Sequence, residues 1–376
     1  MIYFDNAATT PVVPEAAEAA NTMITQSFGN PSSAHSLGLE AERVIKTSAE
    51  TLANILNVRS DEIFFTSGGT EANNLAIIGT AMQRQRQGKH IITSQVEHPS
   101  VENTMKALEK EGFEVTRLTV SQTGEIDPKS VVDALRDDTI IVSLMHINNE
   151  TGAIFDISNI SRLVKEKNSK VIFHTDAVQA FCKESANLKH IDLYALSAHK
   201  IHGLKGIGAL FVRKGVRLKP MIYGGGQQRD VRPGTENTIG IASLAAAAKY
   251  QTRNYGKIRD NVLAIKGEIE GITSSLEDVY INGSGSPYIL NMSFLGIKGE
   301  TLVHALESEG IYISAGAACN AKHPGQSSLS ALKLGAARID SVVRFSFSCI
   351  NTLEEAKTCK ETVIKTVQTL RRNLAR

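Results

Sequence analysis

Tryptophan is absent, and Phe and Tyr bring the aromatic share to only 5% of 376 residues. Single-stranded nucleic acid is gripped by stacking bases on such side chains, so little is available here for that purpose. An excess of one charge is missing too: 41 Lys and Arg against 39 Asp and Glu leave a formal net charge of +2. With the two signs interspersed, no basic groove organises the chain. No apolar run approaches the roughly 20 residues that cross a bilayer. The first residues, MIYFDNAATT, show neither the basic nor the apolar part of a secretion signal. The expected location is the cytoplasm, with neither nucleic acid nor membrane as partner. Cysteine is scarce, with Cys182, Cys319, Cys349 and Cys359 irregularly spaced and no CxxC pair. That argues against a disulfide framework and for reduced thiols.

What is present is an ordinary globular composition, 42% hydrophobic and 21% charged, on a chain long enough for two domains. From about residue 60 to 213, short β-branched runs alternate with segments of helical period. EIFFT precedes TEANNLAIIGTAMQRQ, HIITSQ precedes SVENTMKALEKEG, EVTRLTV precedes DPKSVVDALRD, and TIIVSLMHI precedes ISNISRLVKEKN. KVIFHTDAV, LYALSAH and GALFVR come next. Strand, helix, strand in this order requires crossover connections and a largely parallel sheet covered on both faces. After a Gly-rich stretch, YGGGQQRDVRPGTENT, and a helical run, the rhythm changes from about residue 253 to that of a smaller α+β unit. The expected organisation is an α/β domain over residues 15–252 and a smaller α+β domain built from residues 1–14 and 253–376.

Open α/β sheets carry ligands at the carboxyl ends of their strands, and the strand-ending residues here are rich in chemistry. SGGT after EIFFT is a glycine turn at a helix start, either a phosphate site of backbone N–H groups or a turn in which Thr70 caps the helix. Asp176 in HTDAVQ is a half-buried carboxylate, either a cap for the adjoining helix or the counter-charge of a protonated heterocycle. Lys200 in SAHKIHG, desolvated at the mouth of a sheet, has the setting of a Schiff-base nucleophile. Lysine, acid and helix N-terminus together are what pyridoxal phosphate requires. His98 in VEHPS suits stacking on a flat ring or moving a proton, or is a satisfied loop histidine. Arg344 in VVRFSFS needs a carboxylate, from a structural partner or from a substrate. His199 and His202 lack a third ligand at sensible spacing, so no metal is expected.

With those residues in place, the sequence resembles the cysteine desulfurases, of the class V aminotransferase group of fold-type I pyridoxal-phosphate enzymes. The resemblance runs through YFDNAATTPV, FGNPSSAH, FTSGGTEANNLAI, HIITSQVEH, MHINNETG, HTDAVQ, SAHKIHGLKGIGAL, GGGQQRDVRPGT, AGAAC and VRFSFS. It implies a large domain with a mostly parallel seven-stranded sheet covered by helices, plus a smaller α+β C-terminal domain. It further implies that Lys200 holds pyridoxal 5′-phosphate covalently, that Asp176 faces the ring nitrogen and that His98 stacks on the ring. Gln179 and Asn149 would reach the ring hydroxyl, and Gly69, Thr70, Ser197 and His199 the phosphate. Thr235 matches a residue supplied to the phosphate by the other subunit, which implies a homodimer. Arg344 matches the clamp for the carboxylate of L-cysteine.

In ISAGAACNAKHPG the resemblance makes Cys319 the sulfur acceptor, whose thiolate takes sulfur from the bound cysteine and leaves alanine and a protein persulfide. Lys200 would move the Cα proton. Small and turn-forming neighbours keep a thiol from being buried, Lys322 and His323 favour its thiolate, and Gly316 and Gly325 would let the segment swing. The family's usual Ser-Gly-Ser-Ala-Cys-Thr-Ser is replaced here by Ser-Ala-Gly-Ala-Ala-Cys-Asn, with hydroxyls lost at Ala317 and Asn320. The implied recipient of the sulfur is an iron–sulfur scaffold or a thiolation enzyme. A selenocysteine lyase or an aminotransferase of the same group is the alternative reading, because it uses the same cofactor residues.

Overall fold

The computed structural model describes residues 1–283, 285–316 and 328–374. The alternating segments fold as β1 (Ile2–Tyr3), α1 (Pro14–Thr25), α2 (Ser36–Leu56), β2 (Ile63–Thr66), α3 (Gly69–Arg84), β3 (His90–Ser94), α4 (Pro99–Lys110), β4 (Glu114–Leu118), α5 (Pro128–Asp133), β5 (Thr139–Met145), α6 (Ile157–Lys167), β6 (Ile172–Asp176), β7 (Leu193–Ser197) and β8 (Gly208–Val212). Strands β2 to β8 form one seven-stranded sheet in the order β2-β8-β7-β6-β5-β3-β4. Only β8 runs against its neighbours. The chain between β7 and β8 holds no helix long enough to cross over, so the two must pair antiparallel. Being antiparallel to both β7 and β2, β8 makes those two run the same way, and the carboxyl ends of β2, β7, β6, β5 and β3 share one edge.

Side chains alternate across the sheet. Ile91, Ile141, Leu193 and Leu210 meet Leu75, Ala76, Met105 and Leu108 of α3 and α4 on one face. Ile92, Val142, Phe173, Tyr194 and Phe211 join the other core with Leu52, Ile160 and Leu244. This period of two explains why strands buried on both sides read as continuous apolar runs. Each such side chain contributes about 1.5–3 kcal/mol.

Downstream come α7 (Thr238–Arg253), α8 (Tyr255–Glu270), β9 (Val279–Ile281), β10 (Ile289–Phe294), α9 (Gly299–Ser308), β11 (Ile311–Tyr312), β12 (Ser314–Ala315), α10 (Ser328–Ala331), α11 (Ala336–Asp340), β13 (Val342–Ser346) and α12 (Leu353–Leu374). Four of these strands make an antiparallel sheet, β12-β13-β10-β9. Strand β1 pairs in parallel with β11, after which the chain returns to the large sheet, where Thr10 N donates to His199 O at 3.0 Å. Residues 5–10 therefore stitch the smaller C-terminal sheet to the ends of the large one.

Three helices differ from the sequence reading. The helix expected over DPKSVVDALRD is only α5, started by Asp127, whose carboxylate accepts from Lys129 N at 3.0 Å. Helices α1 and α2 lie upstream of the alternation; their buried faces are mostly alanine and other small residues, which give weak periodic contrast. Among the described residues Cys182, Cys349 and Cys359 are free thiols, no cluster of His, Cys, Asp or Glu is arranged for a metal, and no helix is long and apolar enough to cross a membrane.

The start of β8 has no room for a side chain. A Cβ on Gly208 would sit 2.5 Å from Leu196 O and 2.8 Å from Gly68 Cα. Gly208→Ala is expected to lose about 1–3 kcal/mol of stability by overpacking, read as a lower urea midpoint with an unchanged slope.

Candidate active site

A cavity of about 350 Å³ opens at the shared strand edge. It is lined by Gly69 and Thr70 after β2, His98 after β3, Asn149 after β5, Asp176 and Gln179 at and after β6, and Ser197, His199 and Lys200 at and after β7. Ser314 and Arg344 enter from the smaller sheet, Ala7 and Ala8 from the N-terminal crossing. Five strand ends converge as the sequence pattern implied. Thr235 is exposed and does not line this chain's cavity, and Cys319 lies outside the described residues.

Asp176 ends the buried strand β6 and is itself 6% exposed. Its Oδ1 accepts from Val178 N at 3.0 Å and its Oδ2 from Asn73 Nδ2 at 2.8 Å. It thus caps the turn after β6, yet forms no ion pair among the described residues. A carboxylate desolvated without a cation is costly, and its position on the cavity wall gives the counter-charge reading its basis. Asn73, which also donates to Ser100 Oγ at 2.9 Å, was missed by the sequence reading. Its only signal was an amide on an otherwise apolar helix face.

The turn at Gly68 has φ of 154°, a conformation that favours glycine. Gly68 is the N-cap of α3 without a side-chain bond, so Thr70 is not the cap and its hydroxyl has no partner among the described residues. The first N–H groups of α3 lack intrahelical acceptors, and with Thr70 and the buried Ser197 they form an anion cradle. His199 Nδ1 meets Thr9 Oγ1 at 3.2 Å. Burial, then the nearby Lys200 charge, push His199 down to about 4, so it is a neutral hydrogen-bond partner.

His98 Nδ1 accepts from Ser100 N at 3.1 Å and meets Ser100 Oγ at 2.8 Å, capping α4. Burial lowers its pKa, leaving a neutral ring on the cavity wall. Gln179 Nε2 donates to Ala7 O at 2.9 Å, while its buried Oε1 has no partner. Lys200 Nζ donates to Ala7 O at 2.6 Å and Ala8 O at 2.7 Å. Burial, then the positive Arg344, push Lys200 down to about 8, against the pull of Asp5 and Asp176.

Arg344 is 9% exposed and has the structural carboxylate partner that the sequence left open. Its Nη2 donates to Asp5 Oδ1 at 2.8 Å and to Ser314 Oγ at 3.1 Å, and its Nη1 to Asn149 O at 2.9 Å. It is salt-bridged and still lines the cavity.

These residues fit pyridoxal phosphate. An unpaired buried carboxylate suits a protonated ring nitrogen, an orphaned amide oxygen suits a ring substituent, the start of α3 suits a phosphate, and a lysine of lowered pKa suits an aldehyde.

Comparison with known proteins gives the same picture. The family model for class-V aminotransferases matches residues 2–358. The NifS/IcsS protein homolog of Lactobacillus delbrueckii subsp. bulgaricus is 44% identical, over 95% of this chain and 94% of its own. Cysteine desulfurase IscS of Dictyoglomus turgidum is 39% identical, over 98% and 95%. Among solved structures, a NifS-like protein superposes with a TM-score of 0.93 at 32% identity, over 98% of this chain and 99% of that one. SspA in complex with cysteine gives 0.79 at 34% identity, over 92% and 99%.

The lowered pKa of Lys200 sets a pH dependence. Below about 8 its amine is protonated and cannot add to a carbonyl; above it the amine is free. The rate at which cofactor-free protein takes up pyridoxal phosphate, followed by visible absorbance, should therefore rise through about pH 8 rather than about 10.4, the value for a free lysine. Arg344→Gln, which removes a like charge, should move that midpoint upward.

Proposed function

The chain belongs to the class-V aminotransferase family, whose cofactor is pyridoxal 5′-phosphate, and we propose that within it the protein is a cysteine desulfurase. Lys200, Asp176 and Arg344 line one cavity, and β12, whose Ser314 reaches that cavity, leads in sequence to Cys319. The shared cavity, with Cys319 following in sequence after the strand that reaches it, carries the reading. Relatives named cysteine desulfurase match nearly the whole chain, and a fold neighbour was solved with cysteine.

Lys200 would be the covalent attachment point, Asp176 would face the ring nitrogen and keep it protonated, and His98 would stack on the ring. Gln179 and Asn149 would take the ring hydroxyl, while Gly69, Thr70, Ser197 and His199 would hold the phosphate. When bound, the cofactor supplies an electron sink for charge at the substrate Cα. Arg344 binds the carboxylate of L-cysteine and orients its Cα. Lys200 would move the Cα proton. Cys319 as thiolate would attack the substrate sulfur; a sulfur–sulfur bond forms, the Cβ–S bond breaks with its electron pair left toward Cβ, and protonation at Cβ and Cα gives L-alanine beside a Cys319 persulfide.

A homodimer completes the site with Thr235 of a second copy. Support comes from the exposure of Met221, Ile222 and Tyr223, at 40%, 48% and 79%, just ahead of the Gly-rich segment that carries Thr235. The sulfur passes to an acceptor protein, an iron–sulfur scaffold or a thiolation enzyme, in the cytoplasm. The large domain spans residues 15–252, the small one residues 1–14 and 253–376.

Given L-cysteine and reductant, Cys319→Ala should form neither sulfide nor alanine while keeping the cofactor's visible absorbance, and Lys200→Ala should lose that absorbance. Undiminished sulfide from Cys319→Ala contradicts the proposal. Activity confined to selenocysteine, or to amino-group exchange with keto acids, would assign the lyase or the aminotransferase instead.

A further inference from the structure

Arg344 reaches the cavity as a mostly buried guanidinium, and how it is held bears on what it can bind. Its partners come from three separate places: Asp5 from the N-terminal crossing, Ser314 from β12 and the Asn149 carbonyl after β5. Ser314 Oγ also donates to Asp5 Oδ1 at 2.7 Å, closing a triangle of Asp5, Ser314 and Arg344. Register reinforces the triangle, since Ser314 is paired with Arg344 across β12 and β13 and Asp5 bridges to Ser346. The Asp5 carboxylate is 21% exposed and the Arg344 side chain 11%, so this is not a solvent-screened surface pair.

A guanidinium is a planar fork that accepts a carboxylate only in a defined plane. Three acceptors on three elements fix that plane before substrate arrives. Asp5 is the only one of the three that brings charge, and it offsets Arg344 in a cavity that already holds Lys200. We propose that Asp5, acting with Ser314, is a positioning residue that sets the Arg344 fork for the α-carboxylate of the substrate. Asp5 does not itself line the cavity, and its hold on the fork acts on ligands that carry a carboxylate. The inference rests on the desulfurase reading.

The test uses the holoenzyme. Asp5→Ala should raise the KM for L-cysteine by roughly ten- to a hundredfold, the scale of a misplaced binding group, with kcat within about twofold, as for binding lost equally in ground and transition states. Asp5→Asn, which keeps an acceptor oxygen for the fork, should recover part of that loss. Cysteamine has the amine and thiol of cysteine without the carboxylate. Its binding, titrated through the cofactor's visible absorbance at a pH above the Lys200 midpoint of each protein, should be weakened far less than that of cysteine in both variants. An unchanged or lowered KM overturns the inference, as does equal weakening for cysteine and cysteamine, which marks Asp5 as a tie between segments only. Where Asp5→Ala does not fold, Asp5→Asn and Ser314→Ala carry the same comparison. A wild-type enzyme that makes no alanine from L-cysteine defeats the desulfurase reading; an active wild type with these variants unaltered defeats only the role of Asp5.

Discussion

Lys200 and Arg344 put two cationic side chains into one cavity at the end of a buried sheet, and burial, then the Arg344 charge, lowers the pKa of Lys200. A desolvated amine beside a guanidinium gives up its proton readily, which is what a carbonyl-binding lysine requires. Two carboxylates keep the arrangement from being ruinous: Asp5 pairs with Arg344, and Asp176 stands deeper in the wall without an ion-pair partner among the described residues. The acid left unpaired is the one the cofactor's ring nitrogen would meet. The two cations and two carboxylates balance in number, but Asp176 has no ion-pair partner among the described residues.

Reactivity by itself does not single out Lys200. Burial pushes Lys183 down to about 7, lower still, and its ammonium sits 5.7 Å from the centre of the Tyr288 ring. It does not line the cavity, however, and no phosphate cradle or unpaired acid stands beside it among the described residues. Geometry, with the perturbed amine, the free helix start and the acid on one strand edge, separates a functional lysine from a buried one.

Much of the site was legible in the sequence, because consecutive parallel strands end on one edge and their terminal residues must therefore meet. Asp176, Lys200, His98 and the Gly68–Gly69 turn could be singled out from that rule alone. The antiparallel placement of β8 needed the brevity of its connection to be weighed. Asp5 and Arg344 are 339 positions apart, and no local pattern joins them. The N-terminal crossing contributes through the carbonyls of Ala7 and Ala8, groups common to every residue and so silent in sequence. Asn73 is hidden for a related reason: an amide within a helix looks like any solvated polar position until the strand end beneath it is known. Thr235 carries meaning only if a second copy is present.

Borohydride reduction of the purified protein, with digestion and mass analysis, bears most directly on whether Lys200 is the amine committed to the cofactor. A pyridoxyl group is expected on the Lys200 peptide, with the Lys183 peptide unmodified. A label on Lys183, or none on Lys200 in protein that shows the cofactor's visible absorbance, would refute that assignment.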